Sequence, residues 1–322
     1  ALIWHAGKLH CLNASGPAPR RVSLEKLRKA GCSEMPVFGF APVTVPGAPA
    51  AWAECSRRFG RLPFAELLQP AVEYAAGGYP LSPVLARFWR RAAAIYRERL
   101  QGEEFKHWFD TFAPGGRAPE AGEVWRSPDH AATLQSIAES AAESFYRGEL
   151  AEKMAEFSRA YGGYLTAADL AEYAPSWVEP VGVNYRGYEV WEPPPNGQGL
   201  VALIALKILE GFDLHSRDDA DACHRQIEAM KLAFADGLAY ITDPGHMAIP
   251  AGAFLDEKYI AGRRAMIKAS ASTPAPGPVP RGGTVYVAAA DGEGGMVSFI
   301  QSNYMGFGSG LVVPGTGIAL QN

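Results

Sequence analysis

Residues 269–280 read ASASTPAPGPVP, and this run divides the chain more firmly than any other feature of it. Proline lacks an amide hydrogen and has a fixed φ, so prolines this dense exclude a helix or a central ladder strand. The composition suits an exposed linker. Directly after it comes RGGTVYVAAADGEGGMVSFIQSNYMGFGSG, where a Val-Tyr-Val run marks the start of a strand.

Thr284 stands at that junction. A threonine hydroxyl is a weak nucleophile at its own pKa and needs an adjacent base. If the chain were cut ahead of Thr284, the residue's own α-amine, with a pKa of about 7.7 to 8.0, would supply one. Gly282 and Gly283 precede Thr284 and carry no side chain. Thr284 also reads as an ordinary strand residue, and the glycines as a loop end.

Upstream, the pattern predicts a hairpin over residues 1–13 with Ala6 and Gly7 in its turn. Ser23 caps a short helix ending at Gly31, and VFGFAPVTV (37–45) reads as a strand. Helices are predicted near 49–59, 63–76, 83–100, 129–142, 148–161 and 167–173, with Ser82 and Thr166 as caps and a Pro/Gly loop over 113–122. VGVNYRGYEVWE (181–192) predicts paired strands around Gly187. The loop PPPNGQG (193–199) then leads into an apolar helix, and a long helix spans about 218–241. Asp218, Asp219 and Asp221 suit the first turn of that helix better than a metal site. GTGIALQN reads as another strand end.

Net charge is −4, which gives no reason to expect nucleic acid as a partner. No apolar run approaches the roughly 20 residues of a membrane span. Cys11, Cys32, Cys55 and Cys223 lack metal or disulfide spacing and read as buried, unpaired thiols.

Several stretches occur together in order: VPGAPAAWAECSRRFGRLPFAELLQPAVEYAAGGYPLSP, ESFYRGELAEKMAE, GGYLTAADLAEY, VNYRGYEVWEPPPNGQGLVALIALKILEGFDL, EAMKLAFADGLAYITDP, and the segment from Thr284 onward. In these the chain resembles the γ-glutamyltransferase family of N-terminal-nucleophile hydrolases. The resemblance implies an α+β fold, a four-layer αββα sandwich, truncated here at both ends. Residues 1–283 would be the large-subunit portion, with 269–283 as the linker before the cleavage site, and 284–322 would open the small subunit.

It further implies autocleavage between Gly283 and Thr284, with Thr284 as the catalytic nucleophile. Ser302 falls where relatives carry a second hydroxyl that bonds the nucleophile, and also reads as a polar residue on the strand MVSFIQS. Tyr304, Asn196 and Gly197 are implied near the substrate, while oxyanion and carboxylate-binding groups would lie beyond Asn322. No cofactor or metal is implied. The partners implied are a small γ-glutamyl or acyl-amide substrate, glutathione-like, and the two subunits of one precursor. The compartment implied is periplasmic or secreted, with the cytoplasm left open.

Two departures from the family pattern stand out. Relatives hold the substrate carboxylate with an Arg where this chain has Ser15 or Pro17; Arg20 and Arg21 lie three or more residues away. Tyr304 replaces an Asn common in transpeptidases. The first leaves room for another acyl group, as in cephalosporin or glutaryl acylases; a non-catalytic homologue is the remaining alternative.

Overall fold

The computed structural model describes residues 1–214, 216, 219–274 and 285–322. Asp218, Gly283 and Thr284 lie outside the described residues.

The chain opens with β1 (Leu2–His5) and β2 (Lys8–Asn13), joined through Ala6 and Gly7 at φ 48° and 76°. Positive φ at both central residues matches the twist of a two-residue hairpin. Ser23 caps α1 (Leu24–Lys29) by accepting from the Lys26 amide. Next come α2 (Ala48–Phe59), α3 (Phe64–Gly77), β3 (Tyr79–Pro80) and α4 (Pro83–Arg99), the last capped by Ser82. They are followed by α5 (Lys106–Phe112), β4 (Val124–Trp125), α6 (Pro128–Glu139), α7 (Glu143–Arg147), α8 (Glu149–Ala160) and α9 (Ala167–Ala171). Thr166 and Asp169 close a reciprocal capping box at α9. The chain continues through β5 (Ser176–Val178), β6 (Val181–Tyr185), β7 (Tyr188–Glu192), α10 (Gly199–Glu210), α11 (Ala220–Tyr240) and α12 (Glu257–Arg264), ending with β8 (Val285–Ala290) and β9 (Met296–Gln301).

Several expectations are corrected. Residues 37–45 form no strand. Pro42 cannot donate, the Val43 amide turns back to Phe40 O, and the amides of Gly39 and Val45 go to Ser309 O and Pro17 O instead of one partner strand. Val43 and Val45 are nevertheless buried, so the apolar pattern reports burial of an irregular strap. The 113–122 loop contains a 3-10 turn, Pro114–Gly116. The long helix begins at Ala220, with Asp219 as its cap accepting from the Ala222 amide. Over GTGIALQN the pairing is a single bridge, Val312 with Ala319. None of the four cysteines is in a disulfide; Cys11 is buried, Cys32 and Cys55 are half-buried, and Cys223 is exposed.

Two compact units divide the chain: the first holds residues 1–13, the described part of 176–280, and 287–299; the second holds 14–175, 285–286 and 300–322. The first carries a five-stranded sheet in the order β5-β2-β1-β9-β8, with β9 antiparallel to β1 (Leu2 opposite Ser298, Trp4 opposite Met296). A separate core packs α10 against α11 through Leu200, Ile204, Ile208, Ala229, Leu232 and Ala233. Gly237 permits that approach, because a Cβ there would stand 2.5 Å from Val201 Cγ2. α12 is fixed by charge: Arg264 donates to Ile208 O (2.9 Å) and Lys207 O (2.8 Å), capping carbonyls at the C-terminal end of α10, and Arg263 donates to Leu232 O (2.9 Å).

The second unit is built round an aromatic core, with Trp89, Tyr96, Trp108, Phe112 and Phe145 buried beside Leu311, Val312, Val313 and Leu320 of the C-terminal segment. Burial of each such side chain stabilises by about 1.5–3 kcal/mol. Among the described residues no helix is long and apolar enough to cross a membrane.

Candidate active site

β8 and β9 are neighbours in the sheet, joined by a tight turn that Asp291 organises. Its amide donates to Gly295 O (3.0 Å), and its carboxylate accepts from the amides of Glu293 (2.9 Å) and Gly295 (2.8 Å). The strands run out from this turn, so Val285, which opens β8, and Gln301, which closes β9, stand at the same end of the hairpin. Ser302 follows Gln301 directly. It is therefore past the end of the strand on which its sequence pattern placed it.

The backbone turns sharply there. Ser302 Oγ accepts from the Tyr304 amide at 2.8 Å. Tyr304 has φ 71°, a left-handed conformation that is uncommon outside glycine and is of order 1–3 kcal/mol unfavourable. Asn322 holds the turn from the far end of the chain. Its amide donates to Asn303 O (3.3 Å), its Oδ1 accepts from the Met305 amide (3.1 Å), and its Nδ2 donates to Val37 O (3.0 Å). On the preceding residue, Gln301 Oε1 accepts from the Trp52 indole (2.8 Å).

The GFGSG loop (306–310) anchors this turn in the aromatic core. Phe307 lies 4.7 Å from Phe112, 5.3 Å from Trp89 and 5.4 Å from Trp108, centroid to centroid. The Tyr96 hydroxyl accepts from the Phe307 amide (3.1 Å) and donates to Gly308 O (3.0 Å). Burial pushes the Tyr96 phenol up to about 12, so it keeps its proton and donates throughout the neutral range. Gly308 has φ 76°, and a Cβ there would stand 2.3 Å from Leu320 O, which explains the glycine as close approach of two backbones.

Asn196 and Gly197 belong to the first unit, ahead of α10, whereas Ser302 and Tyr304 belong to the second. Both loop residues are exposed, and Asn196 Oδ1 accepts from Asn13 Nδ2 (3.1 Å). A Cβ at Gly197 would meet nothing within 4 Å; one at Gly199 would stand 2.6 Å from a Glu192 carboxylate oxygen. Packing thus requires glycine at 199 and leaves 197 open. Burial raises the Glu192 carboxyl above its usual range.

Neither candidate position for the carboxylate-binding Arg is basic, and the neighbouring Arg20 is already engaged. Both its terminal nitrogens meet the Glu172 carboxylate, Nη1 to Oε1 at 2.8 Å, in a bidentate pair, and its amide donates to Asp169 Oδ1 (3.1 Å). The Ser15–Pro17 segment is pressed against the strap: a Cβ at Gly16 would stand 1.6 Å from Val45 O. Among the described residues no cluster of three or more His, Cys, Asp or Glu side chains is arranged to hold a metal. Trp52, Tyr96 and Asn322 were not foreseen as parts of this site. Nothing in their local sequence marks them, because their roles arise from contacts across 17 to 249 residues of chain.

The mixed helix and sheet architecture, with a hairpin opening at Val285, is that of the N-terminal-nucleophile hydrolases. The chain superposes on a cephalosporin acylase from Bacillus halodurans with a TM-score of 0.95 and 55% identity, covering 99% of this chain and 59% of that one. The Gamma-glutamyltranspeptidase family profile matches residues 1–322, and the chain belongs to that family. It is 34% identical over 313 residues to the Glutathione hydrolase-like YwrD proenzyme of Bacillus subtilis (strain 168), covering 96% of this chain and 58% of the relative. It is 35% identical over 320 residues to the Oxamate amidohydrolase proenzyme of Klebsiella pneumoniae, covering 97% and 58%. The chain thus spans 58% of the length of each of these curated relatives.

Proposed function

We propose that the intact protein is an autoprocessing amidohydrolase that cleaves itself between Gly283 and Thr284. The Thr284 hydroxyl attacks the Gly283 carbonyl, the peptide C–N bond breaks to give an ester with the displaced nitrogen protonated as a free α-amine, and water then hydrolyses the ester to a Gly283 carboxylate and the regenerated Thr284 hydroxyl. In the mature enzyme the same oxygen attacks the carbonyl carbon of a small amide while the α-amine takes its proton and passes it to the departing amine. The acyl-enzyme then yields its acyl group to water, or to an amino acid or peptide. Ser302 is assigned to bond the nucleophile; a hydroxyl that accepts from the Tyr304 amide can still donate. The observation that carries this reading is that the hairpin brings the opening of β8, one residue after Thr284, and the close of β9, one residue before Ser302, to the same end.

Family membership favours a γ-glutamyl donor, with Tyr304 near the substrate. The bidentate pairing of Arg20 with Glu172, beside non-basic residues at 15 and 17, favours a second reading: an acylase for a group without the glutamate α-carboxylate. The 55% identity to a cephalosporin acylase supports the same reading.

Intact mass and N-terminal sequencing of the full-length protein beside its Thr284→Ala variant test the cleavage. A new N-terminus at Thr284, absent from the variant, is expected, and an uncut wild type would overturn the assignment. Hydrolysis of γ-glutamyl-p-nitroanilide, glutaryl-7-aminocephalosporanic acid and oxamate by the cut protein then separates the donors.

A further inference from the structure

A single residue grips both peptide groups that flank Tyr304. A residue's φ is fixed by the orientation of the peptide before it and its ψ by that of the peptide after it. The Asn322 amide donates to Asn303 O (3.3 Å), on the peptide before Tyr304, and Asn322 Oδ1 accepts from the Met305 amide (3.1 Å), on the peptide after it. The left-handed φ of 71° is thus held from both sides by Asn322. A conformation of that kind persists only where its surroundings over-determine it.

Asn322 is itself anchored. Its Nδ2 donates to Val37 O (3.0 Å). Just ahead of it, the Leu320 amide donates to Leu311 O (3.0 Å), and Leu320 O accepts from the Ser309 amide (2.9 Å) and hydroxyl (2.8 Å). Leu311 and Leu320 are both buried in the aromatic core. A carboxamide suits position 322 because one atom must accept from an amide while the other donates to a carbonyl; an ionised carboxylate can only accept.

The peptide between Asn303 and Tyr304 carries this hold onward. Its carbonyl accepts from Asn322, and its N–H, on the opposite edge, donates to Ser302 Oγ at 2.8 Å. A planar peptide cannot turn one edge without the other, so the direction of the Tyr304 N–H, and with it the setting of the Ser302 hydroxyl, follows the Asn322 bond.

We propose that Asn322 is a positioning residue for acyl transfer: by fixing the backbone of Tyr304 it sets the Ser302 hydroxyl. The inference rests on the assignment of Ser302 to bond the nucleophile.

The test uses the full-length protein after self-cleavage. Asn322→Ala and Asn322→Asp are each made in the wild-type and in a Tyr304→Gly background, because glycine takes up a positive φ without strain. Both kcat and KM are measured per cleaved molecule, on whichever of γ-glutamyl-p-nitroanilide, glutaryl-7-aminocephalosporanic acid and oxamate the wild type hydrolyses fastest. With Tyr304 present, Asn322→Ala is expected to lower kcat about five-fold or more, the rate equivalent of one net hydrogen bond, with KM little changed. Asn322→Asp, which keeps an acceptor for the Met305 amide, is expected to fall between it and wild type, and carries the comparison if Asn322→Ala does not mature. With glycine at 304 the loss is expected to shrink to about two-fold or less. An unchanged kcat in Asn322→Ala would overturn the proposal. An equal loss in the two backgrounds would overturn it as well, by making Asn322 a general prop of the fold. Ser302→Ala, run alongside, separates the two failures: full kcat there removes the assignment on which the inference stands, whereas a loss there beside an unchanged Asn322→Ala counts against the inference alone.

Discussion

The Trp52 indole donates to Gln301 Oε1 at 2.8 Å, tying α2 to the residue immediately before Ser302. Trp52→Phe keeps the ring and removes the donor, forfeiting about 1 kcal/mol of net hydrogen bonding. If that energy orders Ser302, kcat of the cut enzyme falls about five-fold with KM little changed. Steady-state kinetics checks this; an unchanged kcat would show that Gln301 does not steady its neighbour.

Tyr304 sits in the left-handed region. Asn tolerates that region and β-branched residues do not. Tyr304→Asn is therefore expected to keep wild-type stability in urea titration, and Tyr304→Val to lose about 1–2 kcal/mol. Equal midpoints for the two variants would contradict the strain.

Tyr96→Phe strips the hydroxyl that both accepts from Phe307 and donates to Gly308. A loss of about 1–3 kcal/mol is expected, since two buried backbone groups lose their partner. The pH dependence has a definite sign. Burial raises the folded-state phenol from 10 to about 12, so its contribution is full below pH 10 and is lost as pH rises through about 12. Wild type should lose stability over that alkaline window, and Tyr96→Phe should lose less.

Glu228 is held low, at about 2, first by its hydrogen bond from Lys231 and then by those from Ser272. A depressed carboxylate stabilises above its unfolded value and loses that contribution as pH falls through the folded one. The melting-temperature gap between wild type and Glu228→Gln should be constant from pH 5 upward and shrink between about pH 4.5 and 2. A gap that persists at pH 2 would rule out the ionised Glu228.

The helices were legible in the sequence because their ends are written in local chemistry. Ser23, Ser82 and Thr166 cap where a short side chain precedes an apolar period, and Ala6-Gly7 and Arg186-Gly187 turn where φ must be positive. The strap over 37–45 was misread because Val43 and Val45 show the burial that a strand would show, while the amide pairing that defines a strand is set by Pro17 and Ser309, both distant in sequence. Ser302, Tyr304, Asn196 and Gly197 could be singled out only by family resemblance. The contacts that shape their surroundings, from Trp52, Asn322 and Asn13, leave no local trace.

The C-terminal segment is braided into both halves of the chain: β9 is zipped to β1 in one sheet, while Leu311, Val312, Val313 and Leu320 are keyed into the aromatic core of the other unit. A backbone severed ahead of Val285 would gain two new ends and lose none of these attachments. Pulling the shorter strand of such a pair free would demand that a sheet edge and a core be opened in the same event, so the nicked molecule should travel through a sizing column as one particle until it is denatured.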